Sequence, residues 1–120
     1  MTTREQRNGE KAEREAAALI ADLLGVPCRR KLGAGRQDDR GDLDGLPDTV
    51  VQVTARVDLA RAVREKLPAV ARQMENDHAT FGAVFVRRPG GRFVVVLTPE
   101  QWATYWREAI APAAWTWVES

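Results

Sequence analysis

The chain has 120 residues, 44% of them hydrophobic, which is the size and apolar content of one ordinary globular domain with its own core. A single cysteine, Cys28, excludes an intramolecular disulfide and a zinc cluster built from thiolates. The formal net charge of +1 hides a bias inside the basic set: lysine occurs only at positions 11, 31 and 66, and arginine supplies the rest of the 18. Arginine's planar fork suits phosphate recognition, although codon bias produces the same enrichment. No apolar run approaches the roughly 20 residues that span a bilayer. The charged opening MTTREQRNGEKAERE is unlike a secretory signal, so a soluble, cytoplasmic protein is expected.

In chain order, residues 1–9 are polar and without periodicity, and they read as a flexible N-terminus. From Glu10 the set Ala12, Ala16, Leu19, Ile20, Leu23 and Leu24 recurs at three- and four-residue spacing, the stripe of an amphipathic helix that stops at Gly25. VPCRRKL follows as a short extended segment. GAGRQDDRGD is a charged, glycine-rich loop whose backbone is able to approach a ligand closely. A weak strand is expected at GDLDGL, and DTVVQVTA is a β-branched strand whose two apolar faces indicate a central position.

Asp58 is placed to cap a second helix carrying Leu59, Val63, Leu67, Val70 and Met74 and reaching Asn76, with Pro68 as a kink or a break. GAVFVRR and RFVVVLT, joined by PGG, form a hairpin. TPEQ opens a last helix with Thr98 as N-cap, Pro99 at its first position and Gln101 completing a capping box. Trp102, Tyr105, Trp106, Ala109 and Ile110 make its expected buried stripe, and residues 111–120 read as a tail bearing Trp115 and Trp117. The domain therefore spans residues 10–110. Its fold class is α/β, a mixed central sheet flanked by helices.

These segments together resemble the PD-(D/E)XK nuclease superfamily, and within it the small phage proteins that are similar to Holliday junction resolvases. AER at 12–14 resembles the family's helix-one motif, RRKLGAG its basic loop, GDL its aspartate turn and GLPDTVVQVTA its catalytic strand. RVDLARAV resembles the start of the following helix, and VFVRRPGGRFVVVLT the late hairpin. The resemblance implies a restriction-endonuclease-like core, magnesium as cofactor, DNA as partner, branched or duplex, and a homodimer. It places Asp42 at the aspartate position and Glu13 at the helix-one glutamate, with Glu10 one turn earlier as the alternative. Gln52 stands where the strand carboxylate belongs, and Thr54 where the lysine belongs.

Hard magnesium ions take oxygen ligands in octahedral geometry, so the implied ligands are Asp42, Glu13 and the amide oxygen of Gln52. A neutral hydroxyl at Thr54 cannot supply the lysine's charge, and losing one such group costs on the order of a hundred- to a thousandfold in rate. Arg56, Lys31 and Arg61 are the nearest substitutes in sequence. The implied function is thus a DNA-binding relative with weak or lost magnesium-dependent cleavage. The alternative is a protein-binding relative, an inhibitor or nuclease mimic, without DNA activity.

Arg29, Arg30, Lys31 and Arg36 in the basic loop, and Arg87, Arg88 and Arg92 at the hairpin, are candidate phosphate contacts. Asp44 and Asp48 are rival acids in a turn, where such residues commonly bond their own backbone. His78 is expected to close a helix end.

Overall fold

The computed structural model describes residues 3–31, 41–55 and 58–119, with side chains as far as residue 110. Helix α1 (Arg4–Leu24) begins well before Glu10. Thr3 and Gln6 form a reciprocal capping box, with Gln6 N–H donating to Thr3 Oγ1 at 3.1 Å and Thr3 N–H to Gln6 Oε1 at 2.8 Å. Two first-turn donors are thereby satisfied, and residues 4–9, expected to be frayed, are helical. Gly25 ends the helix in the left-handed region at φ 69°.

The short strands β1 (Arg29–Arg30) and β2 (Leu43–Asp44) pair antiparallel, with Arg29 opposite Asp44. Strand β3 (Thr49–Thr54) runs parallel to β4 (Phe81–Arg88), and α2 (Leu59–Asp77) makes the crossover between them. β4 turns back at Gly90 and Gly91 into β5 (Arg92–Val96), the expected hairpin. Helix α3 (Pro99–Glu119) follows, opened by the Thr98–Gln101 box and continuing through the segment read as a tail. The fold is an α/β domain with a mixed three-stranded sheet flanked by helices.

Two further expectations are corrected. The sheet order is β3-β4-β5, so β4 and not β3 is central. β3 is nevertheless covered on both faces, which is why its pattern reads as central. α1 packs Ala12, Ala16 and Ile20 against Val51 and Val53 on one face, while α2 sets Ala62 and Val70 against Val84 and Val86 on the other. The second correction concerns α3, whose Trp102 and Trp106 are 57% and 45% exposed rather than core. The helix meets β4 chiefly through Tyr105, whose ring lies 4.9 Å from that of Phe81. A three-stranded sheet is too narrow a floor for the whole apolar stripe. The side chains of residues 111–119, Trp115 and Trp117 among them, lie outside the described part.

Pro68 neither kinks α2 into two helices nor ends it. Pro68 is exposed. His78 closes the helix from the left-handed region, its backbone N–H donating to Glu75 O and Met74 O.

Candidate functional site

A cavity of about 580 Å³ lies beside the C-terminal half of β3. Its walls include Glu13 from α1, Asp42 from the turn before β2, Gln52 and Thr54 from β3, and Lys66 from α2. Glu5, Asn8 and Gly9 from the first turns of α1 line it as well. All four residues singled out on the sequence therefore meet in one pocket. Glu13, Asp42, Gln52 and Thr54 are only 8, 8, 7 and 6% exposed.

Burying carboxylates is costly unless they are paired or hydrogen-bonded, and each of these two is compensated. Glu13 Oε1 accepts from Arg30 Nε at 2.8 Å, and the same guanidinium reaches Glu10 at 3.6 Å. Asp42 Oδ2 accepts the backbone N–H of Val53 at 2.8 Å, while its own N–H donates to Val51 O at 2.9 Å. This double attachment zips the turn to the edge of β3. Gly41 makes it sterically feasible: it sits at φ 93°, and a Cβ there would come within 2.9 Å of Val50 Cγ1.

Gln52 differs from its neighbours. Its side-chain oxygen is buried and has no hydrogen-bond partner. A buried acceptor left unsatisfied costs roughly 1–3 kcal/mol. The alternation of β3 sets its direction. Gln52 pairs with Val84 and Thr54 with Val86, and both valines pack under α2, so Gln52 and Thr54 present to that same face.

Comparison with known proteins found no matching family model, curated protein or solved structure. What the site is able to do rests on its chemistry. Among the described residues no three His, Cys, Asp or Glu side chains gather as a metal site. The cavity wall does carry the carboxylates of Glu13 and Asp42 and the amide of Gln52, side chains whose oxygens are the donor type that hard divalent cations such as magnesium take. The residues present fit such an ion.

Glu13 lines the cavity and Glu10 does not, although both touch Arg30. Asp44 is exposed on β2, and Asp48 bonds the backbone N–H of Thr80 at 2.8 Å at the far end of β3. The Thr80 hydroxyl and N–H hold the Asp48 carboxyl below its ordinary range.

The basic residues are dispersed. Arg30 is committed to Glu13 and Glu10, and Arg87 pairs with Glu15 of α1. That pairing holds the Glu15 carboxyl low, since Arg87 donates to its charged form. Arg29 and Arg92 are exposed; Lys31 and Arg88 are half-buried. Arg36 and Arg56 lie outside the described residues. Arg61 is occupied by Glu65, one helical turn on, at 3.0 Å.

Three wall residues escaped the sequence reading: Glu5, Asn8 and Lys66. The first two were legible in the T-x-x-Q spacing of Thr3 and Gln6, a helix-start signature. Lys66 lies four residues after buried Ala62 and four before buried Val70, a polar interruption of a core-facing stripe.

Proposed function

We propose that this chain is a relative of the PD-(D/E)XK nucleases with a restriction-endonuclease-like core. It binds duplex or branched DNA at the Glu13–Asp42–Gln52 cavity. Its strand motif is altered for magnesium-dependent phosphodiester cleavage. The observation that carries this reading is that Glu13, Asp42 and Gln52 line one cavity of about 580 Å³, a volume that would admit a phosphodiester.

A bound divalent cation supplies Lewis-acid polarisation of the phosphate and lowers the pKa of water. Asp42 is held for that task by the Val53 N–H and the β3 edge, so its carboxylate is pre-positioned and loses little freedom on binding. Glu13 is oriented by Arg30. Gln52 offers a neutral oxygen in place of a charged one, which weakens ion binding without removing a ligand. Thr54 supplies no charge, so β3 alone does not complete the site.

The protein acts as a homodimer in this proposal. The exposed apolar side chains Leu23, Leu24, Val95, Trp102, Trp106 and Ile110 support a self-association surface. The same band, together with the engagement of Arg30 and Arg87 by acids, favours a second reading: a protein-binding relative with no DNA activity.

Labelled four-way junction and linear duplex, incubated with magnesium, manganese or chelator and resolved on native and denaturing gels, separate the two. Salt-sensitive shifts, with slow cleavage that requires metal, are expected. Neither shift nor cleavage at low salt would leave only the protein-binding relative.

A further inference from the structure

We propose that Lys66, from the middle of α2, supplies at the scissile phosphate the positive charge that Thr54 lacks, so that one strand motif is divided between β3 and α2. The inference rests on the phosphodiester reading of the cavity. Three observations carry it. Lys66 lines the same cavity as Glu13, Asp42, Gln52 and Thr54. It stands between Ala62 and Val70 on the face of α2 that packs on the sheet, and Gln52 and Thr54 present to that very face. Among the described residues it forms no ion pair, whereas Arg30, Arg61 and Arg87 each hold an acid.

Lys66 is partly buried, shares the cavity wall with Glu13 and Asp42, and forms no ion pair among the described residues, so a phosphate entering the cavity would meet an uncommitted ammonium group. A lysine side chain carries its charge on a flexible four-carbon stem, long enough to cross from a helix to the strand beneath it.

In the reaction, a water oxygen forms a bond to phosphorus as the bond to the leaving sugar oxygen breaks. The water gives up a proton to solvent and the leaving oxygen takes one from solvent. Lys66 moves no proton. It donates hydrogen bonds to a non-bridging oxygen, where negative charge grows in the transition state. An unrelated signal follows from the same contact: one fewer phosphate neutralised lowers the slope of log affinity against log salt by about one.

The test compares wild type, Lys66→Met, Lys66→Met/Thr54→Lys and Asp42→Asn. Manganese-dependent cleavage of duplex and junction DNA is measured, and anisotropy titrations in calcium over a salt series give the slope. Methionine keeps the apolar stem, and circular dichroism checks the fold. Expected are a fall in kcat on the order of a hundredfold for Lys66→Met, a slope lower by about one, and recovery of cleavage when the lysine is returned to the strand.

Asp42→Asn abolishing cleavage while Lys66→Met changes neither rate nor slope would overturn the role of Lys66 and leave the site reading intact. Wild type that neither cleaves nor binds DNA would overturn both. If wild type binds without cleaving, the slope alone decides: a drop of about one supports the contact, and no change refutes it.

Discussion

Gln52 concentrates the chemistry of the cavity into one side chain, because its buried oxygen has neither a protein donor nor the charge that a carboxylate would bring. Gln52→Glu is expected to tighten manganese binding by on the order of tenfold, since ligand charge is a main determinant of affinity for hard cations. The same change adds a third acid beside Glu13 and Asp42, so without metal the variant should melt below wild type, and metal should raise its Tm by more. Differential scanning fluorimetry with and without manganese checks both signs. The acidic turn and the strand were legible as residues because their chemistry is local. The presence of Lys66 in the same cavity wall was not. Sequence proximity pointed to Lys31, Arg56 and Arg61; Arg56 lies outside the described residues, and the parallel β3–α2–β4 crossover brings Lys66 to the cavity wall.

At the scale of elements, the order of helices and strands follows from periodicity, caps and turns, and the Asp58, Thr98 and Gly25 boundaries are where local hydrogen bonding puts them. Position within the sheet was not legible in that way. β3 reads as central because α1 and α2 cover its two faces and the Asp42 turn binds its edge. The seat of α2 on β4 is close at Gly82, where a Cβ would meet Met74 Sδ at 2.3 Å and Val70 Cγ1 at 2.7 Å. Gly82→Ala is therefore expected to cost about 1–3 kcal/mol, read from the urea midpoint at unchanged m-value.

Acid sensitivity belongs to the same scale, because Glu15 ties the hairpin to α1 and Asp48 ties the start of β3 to the start of β4. Both carboxyls lie below their ordinary values in the folded chain. Each therefore contributes stability that is complete above an unfolded pKa of about 4 and is lost as pH falls through the lower folded value. Urea midpoints measured from pH 7 down to pH 3 should fall less steeply in Glu15→Gln and Asp48→Asn than in wild type.

Across the whole molecule, polar chemistry and apolar exposure are separated. The acidic cavity lies beside Gln52 and Thr54, while a second cavity of about 340 Å³, lined by Ile20, Leu46, Phe85, Val95 and Tyr105, is almost wholly apolar. Around it stand Leu23 and Leu24, 70% and 62% exposed, and the edge of β5, which pairs with no further strand among the described residues. Helical spacing identified the α3 stripe as apolar; it carried no information on what covers it. For the proposed homodimer, Val95→Arg/Trp106→Glu is expected to shift sedimentation velocity from dimer to monomer while leaving the proposed metal binding at the other cavity, which shares no lining residue with this one, unchanged. Among the described residues no helix is long and apolar enough to cross a membrane.

The proposed hard-cation site of Glu13, Asp42 and Gln52 is tested by isothermal titration of manganese into wild type and Asp42→Asn. One ion is expected to bind per wild-type chain, with binding lost in Asp42→Asn and the fold intact by circular dichroism. No heat of binding in wild type at millimolar manganese, or equal binding by both proteins, would contradict it.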